Sequence, residues 1–389
     1  MDILFLAHRV PFPPDRGDKI RSFHVLRHLA ARARVHLVAF ADDPRDLVPP
    51  SEFRDMLGEC VVVARTKPRW RAGVEALASG RPLSLAAFDD ARVRGAVARI
   101  VRERAIDRVY AFSGQMAQYL PDDVPAVMDF VDADSAKFAA FAEDARGLSR
   151  WMYRREARLL GAYERAVTAR VEASLFVSAE EAALVPGARA VSNGIHTTFF
   201  DPAARFVSVV GQGRMIVFTG QMDYKPNVDA VVSFARDVLP RVRATHPEVR
   251  FAIVGRAPTR EVRALADEAV IVTGEVPDVR GWLAAAEVVV APLGLARGIQ
   301  NKVLEAMAMA RAVVASPAAA EGIDHAGTIW VAEGSGMVDA VTTLLDEPDR
   351  ARTSGQAARA RVQARYAWDA CLAPLDAMMG LTGPARVAA

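Results

Sequence analysis

The segment 291–310 carries the residues with the clearest chemistry in the chain. An apolar strand ends, two glycines follow, and a helix then opens with the polar residues Gln300, Asn301 and Lys302. Glu305 lies three residues beyond Lys302 and four beyond Asn301, a spacing that places these side chains along one edge of a helix. An ammonium group, a carboxylate and free helix amides in this arrangement suit a ligand that carries both phosphates and hydroxyl groups.

The residues just before that helix extend the pattern. Backbone amides at Gly298 and Ile299 precede the first turn, where amides without helical partners attract anions, so we expect them to face a diphosphate. Glu305, one turn deeper, is then placed to accept hydrogen bonds from ribose hydroxyls. The alternative is that Glu305 only pairs with Lys302 at the surface, which the apolar neighbours of Glu305 disfavour.

A second loop, 219–227, joins another apolar strand to a helix that has Pro226 in its first turn. Gly220 follows the strand directly, and Lys225 adds a full positive charge to the partial charge of the helix N-terminus. Only five of the 49 basic residues are lysines, so a lysine here is informative. The loop predicts a phosphate site; the alternative is that Lys225 is merely solvated.

A third loop, 7–21, follows the first apolar strand and is rich in proline. It ends with Gly17 at the start of a helix, followed by Asp18 and Lys19. Glycine at that position allows the backbone to approach a ligand, which predicts an anion or substrate loop that includes Gly17 and Lys19. The alternative is a rigid connector in which Asp18 caps the helix.

Composition excludes several classes of protein. Lys+Arg 49 against Asp+Glu 47 leaves a net charge of +2, which is too balanced for a nucleic-acid-binding protein. The longest stretch without a charged residue, 109–121, is shorter than the about 20 apolar residues that span a bilayer. The first residues predict a strand rather than a leader peptide, so we expect a cytoplasmic protein.

Cysteine usage and the absence of familiar motifs narrow the choice further. Cys60 and Cys371 lack a CxxC partner, so we expect neither a disulfide framework nor a zinc site. The chain has no GxGxxG, GxxxxGK[ST], HExxH or GxSxG motif. This argues against dinucleotide oxidoreductases, P-loop enzymes, zinc proteases and serine hydrolases.

Short apolar runs alternate with helical patterns along the chain, which predicts an α/β fold with two doubly wound, parallel sheets in succession. The strands predicted in the first half are 3–7, 35–40, 60–64, 108–111, 126–130, 173–177 and 189–192. Those predicted in the second half are 215–219, 250–254, 269–273, 287–291, 312–315 and 328–331. The clearest helical patterns are 18–33, 87–104, 148–170, 336–345 and 349–364.

The segment 298–308, which contains Asn301, Lys302 and Glu305, resembles the donor-binding helix of glycosyltransferase family 4. The resemblance covers nearly the whole chain, through the segments 8–14, 17–21, 193–195, 220–227, 254–255 and 276–279. Together, 8–21, 131–137 and 222–227 resemble the branch associated with exosortase and PEP-CTERM exopolysaccharide loci.

This resemblance implies a GT-B fold, in which two Rossmann-like domains face a cleft. It implies an acceptor-side domain over 1–197, a linker over 198–213, a nucleotide-sugar-binding domain over 214–365 and a terminal helix over 366–389 that crosses back. The implied reaction transfers a sugar from a nucleotide-diphosphate sugar with retention of anomeric configuration. It implies no obligatory metal and no cofactor, because the nucleotide sugar is a substrate.

The resemblance also implies roles for single residues. Gly17 approaches the diphosphate or the acceptor, Lys225 and Lys302 approach the phosphates, and Glu305 approaches the ribose. The predicted substrate-binding set is Gly17, Lys19, Gly220, Arg297, Gly298, Ile299, Gln300, Asn301 and Lys302. One position departs from the family: many members have a glutamate where this chain has Arg297. Arg297 binds the diphosphate, favours an anionic sugar or is simply solvated, and the sequence leaves these alternatives open.

The catalytic set predicted from the resemblance is Asp129, Lys225 and Glu305. Asp129, which follows an apolar strand, is the candidate for the first-domain residue nearest the anomeric carbon, with Asp132 and Asp134 as rivals. The alternative is that these carboxylates cap the next helix.

We therefore expect a glycosyltransferase that uses a nucleotide-sugar donor and elongates a lipid-linked or polysaccharide precursor, without binding nucleic acid. Two alternatives are a catalytically silent sugar-nucleotide-binding or scaffolding protein and a nucleotide-sugar epimerase of the same fold. The segment 146–171, with seven arginines, two glutamates and Trp151, predicts a helix that lies on the anionic inner face of the cell membrane. The alternative there is a solvated helix whose apolar residues pack inward.

Overall fold

The computed structural model describes residues 1–14, 16–209, 213–296 and 299–381. The chain folds into two compact units: unit 1 comprises Met1–Asn193 and the chain from Cys371 onward, and unit 2 comprises Gly194–Ala370. The predicted linker 198–213 therefore lies within unit 2. Unit 2 begins at Gly194 because the next residue, Ile195, donates its amide proton to the carbonyl of Tyr366 at 2.6 Å and forms a bridge with Ala367.

Unit 1 is built on a seven-stranded parallel sheet with the strand order β3-β2-β1-β4-β5-β6-β7. Its strands are β1 (Asp2–Ala7), β2 (Arg34–Ala41), β3 (Glu59–Ala64), β4 (Arg108–Phe112), β5 (Ala126–Val131), β6 (Ala173–Phe176) and β7 (Arg189–Ala190). The central strands are almost continuous runs of buried apolar residues, as expected for a parallel sheet with helices on both faces.

One helix of unit 1 accepts hydrogen bonds, through two buried carboxylates, from the first turns of two other helices. The helices of this unit are α1 (Gly17–Ala30), α2 (Ser51–Arg54), α3 (Arg69–Ser79), α4 (Leu83–Ala87), α5 (Ala91–Glu103), α6 (Asp134–Asp144), α7 (Gly147–Thr168) and α8 (Ala179–Ala183). On α7, the buried Glu156 accepts from the amide of Leu83 at 2.8 Å, and Glu164 accepts from the amide of Ser135 at 3.0 Å. These carboxylates satisfy free amides in the first turns of α4 and α6.

Unit 2 is built on a six-stranded parallel sheet with the order β10-β9-β8-β11-β12-β13. Its strands are β8 (Met215–Thr219), β9 (Arg250–Val254), β10 (Val270–Gly274), β11 (Val288–Ala291), β12 (Ala312–Ala315) and β13 (Trp330–Val331). The helices are α9 (Lys225–Ser233), α10 (Leu239–Arg243), α11 (Arg260–Arg263), α12 (Arg280–Ala285), α13 (Asn301–Ala308), α14 (Pro317–Ala320), α15 (Ser335–Asp346) and α16 (Pro348–Arg365). A last helix, α17 (Trp368–Met378), begins in unit 2 and ends in unit 1.

The α/β prediction with two parallel sheets is confirmed, and each of the predicted strands corresponds to an observed one. The predicted helix 87–104 is wrong at its start. The chain breaks after α4, and the side chain of Asp90 then caps α5 by accepting from the amide of Arg92 at 2.8 Å. None of the helices in the described parts of the chain is both long and apolar enough to cross a membrane.

Candidate functional site

A cavity of about 520 Å³ lies in unit 2 beyond the carboxyl ends of β8 and β9 and beside the start of α13. In doubly wound sheets this edge is where ligands bind, because loops and helix N-termini converge there. The polar or charged side chains that line the cavity belong to Thr219, Gln221, Tyr224, Asn227, Arg256, Glu275, Gln300, Asn301, Lys302 and Glu305.

Two glycines allow the backbone segments at the floor of this cavity to cross closely. Gly220 donates its amide proton to the carbonyl of Val254 at 3.0 Å, and Gly255 donates to the carbonyl of Gly274 at 3.2 Å. Gly255 has a φ of +152°, and a Cβ atom there would overlap the carbonyl oxygen of Gly220. The close crossing therefore requires glycine at position 255.

Asn227 connects the loop after β8 to α13. Its side chain is buried, and it donates to the carbonyl of Gln221 at 2.9 Å while its Oδ1 accepts from Nζ of Lys302. The Lys302 ammonium also lies 4.4 Å from the centre of the Phe218 ring and 3.2 Å from the position that a Cβ on Gly220 would take. Gly220 has only a hydrogen atom where other residues carry Cβ. This leaves room for the Lys302 ammonium.

Burial shifts the pKa values of Lys302 and Glu305 in opposite directions. Burial lowers the pKa of Lys302 to about 8, although the nearby Glu305 acts to raise it. Burial raises the pKa of Glu305 to about 7, although Lys302 acts to lower it. Neither charge is fully compensated within the protein, which is typical of a site that completes its interactions with a ligand.

Arg256 is a cavity residue that the sequence reasoning missed. It follows the glycine crossing at the carboxyl end of β9, and its guanidinium donates to Oε1 of Gln221 at 3.0 Å. Its position one residue after Gly255 was the available signal, because ligand-binding loops follow strands at this edge of the sheet. Arg256 and Lys302 are the basic side chains among the described residues that line the cavity.

The structure brings together most of the site residues predicted in the second half of the chain. Gly220, Ile299, Gln300, Asn301, Lys302 and Glu305 all line the cavity. Lys225 does not: its side chain is 84% exposed and pairs with Asp229 at 3.0 Å, one turn along α9. Arg297 and Gly298 lie outside the described residues.

The predicted residues of the third loop are placed in unit 1. Gly17 begins α1 with open space beside its α-carbon, and the buried Lys19 pairs with Asp46 at 3.0 Å. A cavity of about 670 Å³ adjoins them, lined by Lys19 with Phe12, Pro13, Arg16, Asp42, Asp43, Arg45, Asp46, Val48, Pro49 and Pro50. Asp18 is not the N-cap residue of α1, because that position is occupied by Arg16; Asp18 lies inside the first turn, where its Oδ1 accepts from the amide of Lys19 at 3.0 Å.

Asp129 lies inside unit 1 rather than in an open pocket. It is fully buried in β5 and accepts from Nε of Arg21 at 2.9 Å, from the hydroxyl of Tyr110 at 2.6 Å and from the amide of Val131 at 3.1 Å. These contacts satisfy a buried carboxylate, and removing one partner of such a pair is strongly destabilising. The geometry is that of a residue that holds β4, β5 and α1 together.

The two rival carboxylates differ from Asp129 in burial. Asp132 is exposed, and Asp134 is partly buried in the first turn of α6, where desolvation raises its pKa. The proposed alternative, that these residues cap the next helix, is not observed: the residue at the N-cap position of α6 is Ala133, and the first-turn amide of Ser135 donates to Glu164 instead. Nearby, burial lowers the pKa of His8, whose Nε2 lies 3.2 Å from Oδ2 of Asp18.

No group of histidine, cysteine or acidic side chains that could hold a metal ion occurs in the described ranges. Within those ranges, charge at the unit 2 cavity comes from Arg256, Lys302, Glu275 and Glu305. What this arrangement can do is bind an anion beside the Lys302 ammonium and accept hydrogen bonds from hydroxyl groups at Glu305.

Comparisons with known proteins agree with this geometry. Residues 213–347 match the family model described as "Glycosyl transferases group 1", and no curated protein sequence matches the chain. That match covers β8 to α15 and includes the whole cavity of unit 2.

Solved structures resemble the chain along almost its full length. The sucrose-phosphate synthase from Thermosynechococcus elongatus is 17% identical with a TM-score of 0.59, over 97% of this chain and 98% of that one. Anabaena HepE in complex with UDP is 14% identical with a TM-score of 0.60, over 98% of this chain and 100% of that one. An E. coli protein described as trehalose-6-phosphate bound with UDP-2-fluoro glucose is 9% identical with a TM-score of 0.63, over 98% and 100%.

At these identities the structural likeness establishes the fold, which is the α/β fold of GT-B glycosyltransferases. The GT-B prediction is confirmed at that level. The family match adds that residues 213–347 are similar to group 1 glycosyl transferases.

The glycine crossing predicts a specific stability defect. Gly255→Ala should lower the free energy of unfolding by about 3 kcal/mol or more, because it combines an unfavourable φ with overlap against the Gly220 carbonyl. Chemical denaturation would measure this. Gly294→Ala is the matched control, because a Cβ at Gly294 meets nothing within 4 Å. Equal stability of the two variants would contradict the crossing.

Glu305 predicts a pH-dependent change in stability. Its pKa is raised to about 7 in the fold, so the folded state binds more protons than the unfolded state between about pH 4.5 and 7 and loses stability as pH rises through that window. Glu305→Gln should therefore raise the melting temperature at pH 8 and change it little at pH 4. Calorimetry at both values tests this, with Glu275→Gln, an exposed carboxylate of the same cavity, as the control. A melting temperature that falls at pH 8 would show that Glu305 stabilises the fold.

Proposed function

We propose that the protein is a retaining glycosyltransferase of family 4, from the branch associated with exosortase loci. It transfers a sugar from a nucleotide-diphosphate sugar to a lipid-linked or exopolysaccharide precursor. The observation that carries this proposal is the placement of Lys302 and Glu305 beside Gly220 in one cavity, inside the region that matches the glycosyl transferase model. The fold relatives solved with UDP or a UDP-sugar support a donor of this chemical class.

The donor diphosphate binds between Lys302 and the first turn of α13. The ammonium already points to the floor of the cavity, and a diphosphate next to it would favour its protonated form. Arg256 supplies a second cation from the loop after β9, once its guanidinium exchanges Gln221 for a phosphate oxygen. Glu305 then accepts from the ribose hydroxyls, and this interaction favours its ionised form.

The chemical step requires the leaving diphosphate to be stabilised. The bond between the anomeric carbon and the phosphate oxygen breaks while the acceptor hydroxyl bonds to the same face of the sugar, and the hydroxyl proton passes to the leaving phosphate. Lys302, Arg256 and the amides at the start of α13 stabilise the negative charge that develops there. These groups provide the stabilisation that a metal ion would otherwise supply, so we propose a metal-independent reaction.

The acceptor binds to unit 1 at the cavity next to Gly17 and Lys19. Its carboxylates, among them Asp42 and Asp43, accept hydrogen bonds from sugar hydroxyls, and Phe12 offers an apolar face to a sugar ring. Asp129 acts as a positioning residue, because its pairing with Arg21 fixes the start of α1 against β5. A lipid-linked acceptor places the enzyme in the cytoplasm, against the inner face of the cell membrane.

A second candidate function is a catalytically silent sugar-nucleotide-binding protein. The observation that favours it is Arg297, which stands where many family 4 members have a glutamate. A guanidinium cannot accept hydrogen bonds from donor-sugar hydroxyls, so the donor could be held without productive transfer.

Donor affinity distinguishes the lysines. Lys302→Met should weaken UDP binding by about 1.5–3 kcal/mol, roughly 10- to 150-fold, because a charge-assisted contact is lost. Arg256→Gln should weaken binding in the same direction. Isothermal titration with UDP measures both. Lys225→Ala is the informative comparison, because Lys225 is a lysine that the sequence assigns to the phosphates and that the fold pairs with Asp229.

Unchanged UDP affinity in Lys225→Ala would remove Lys225 from the donor site. Unchanged affinity in Lys302→Met would contradict the donor site as proposed here.

Activity itself is tested with a panel of labelled nucleotide sugars and a membrane lipid extract. A transferase yields labelled lipid or polysaccharide, and Lys302→Met should reduce that yield by the factor seen in donor binding or more. An epimerase would instead convert the donor sugar without a labelled acceptor. Tight donor binding with neither product would establish the silent binding protein.

A further inference from the structure

Unit 1 exposes an unusual number of large apolar side chains on two adjoining helices. On α3, Trp70, Val74 and Leu77 are 73%, 61% and 61% exposed. Positions 70, 74 and 77 share one face of a helix, while the buried residues of α3, Ala72 and Ala76, lie on the opposite face. The stripe therefore contributes nothing to the core of unit 1.

The start of α7 has the same property. Residues 146–152 are all exposed, and among them Leu148, Trp151 and Met152 form an i, i+3, i+4 stripe with exposed fractions of 79%, 54% and 41%. The guanidinium of Arg155 connects the two helices by donating to the carbonyl of Ala76 at 2.7 Å. We call these two stripes, 70/74/77 and 148/151/152, the α3/α7 face.

Arginines border both stripes. Arg69 and Arg71 flank Trp70 on α3, and Arg146, Arg150 and Arg154 alternate with the apolar stripe of α7. Arg71 pairs with Glu75, but no described acidic side chain pairs with the other four guanidinium groups. In the sequence, the segment 143–154 contains two acidic residues and three arginines.

We propose that the α3/α7 face docks on an anionic lipid surface. The occupant follows from the combination of features: tryptophan side chains favour the level of the lipid headgroups, apolar side chains enter the acyl boundary, and arginines without a described acidic partner attract anionic lipid. The net charge of the whole chain is only +2, so attraction to an anionic surface has to come from a local group of arginines such as this one. The sequence indicates a basic helix at 146–171, but the contribution of α3 becomes visible only from the exposure of its apolar stripe.

This inference rests on the proposed membrane location of the acceptor and identifies the surface that would reach it. The test uses the full chain and sedimentation with phosphatidylcholine vesicles, with and without phosphatidylglycerol. We expect binding to the anionic vesicles at low salt, with affinity reduced on the order of tenfold at high salt, because screening weakens the arginine contacts. Absence of binding to anionic vesicles at low salt would overturn the proposal.

Matched variants localise the surface. Trp70→Ser with Leu77→Ser, Leu148→Ser with Trp151→Ser, and Arg150→Gln with Arg154→Gln should each weaken vesicle binding on the order of tenfold. Leu184→Ser is the control, because Leu184 is a 56% exposed leucine of unit 1 that lies outside the face. Variants of the face that bind vesicles as tightly as the Leu184→Ser control would overturn the proposal.

Native fluorescence provides an independent measurement. Trp70 and Trp151 are exposed on the face, whereas Trp282, Trp330 and Trp368 are partly or fully buried in unit 2. Brominated lipids should quench the fluorescence of the wild type, and Trp70→Phe with Trp151→Phe should remove most of the quenching. UDP titration of the same samples separates the two proposals: intact UDP binding without vesicle binding would reject the membrane surface and retain the donor site.

Discussion

The site in unit 2 depends on the close crossing of the backbone at Gly220 and Gly255. Because neither residue has a side chain, the loops after β8 and β9 approach each other and leave an open floor at the carboxyl edge of the sheet. Lys302 reaches over this floor from α13 and is held by Asn227. A side chain at either glycine would displace one of the two loops or the ammonium, so the position of the cation follows from a backbone constraint.

The fold could be predicted because its signals are local. Buried parallel strands are short continuous apolar runs, and this chain separates them with more polar helical segments. The strand positions therefore follow from the local sequence pattern alone. The break between α4 and α5 was missed partly because it involves a distant residue: the amide of Asp90 donates to the hydroxyl of Tyr119 at 2.8 Å, 29 residues further along the chain. The hydrophobic periodicity of residues 87–104 does not indicate that contact.

The site could be predicted where it lies within one motif and not where it joins distant segments. Gln300, Asn301, Lys302 and Glu305 follow from the chemistry of a single helix start. The pairing of Lys302 with Asn227 spans 75 residues, and the burial of Asp129 against Arg21 spans 108, so neither is visible in a local pattern. The pairing of Lys225 with Asp229, by contrast, could have been predicted from the sequence. Asp229 lies four residues further on, and an i, i+4 ion pair is a local signal.

Helix α7 contributes to the fold of unit 1 and also carries one of the two stripes that we propose to dock on lipid. Its middle and end bury two carboxylates, Glu156 and Glu164, which hold α4 and α6 through their free amides, while its first turns expose Leu148 and Trp151 to solvent. This reverses the usual arrangement of polar residues outside and apolar residues inside. Since the core of unit 1 gains nothing from the exposed stripe, its composition is not constrained by folding. Substitutions in the exposed stripe should therefore leave the fold intact, whereas loss of Glu156 or Glu164 would leave first-turn amides of α4 and α6 without their acceptors.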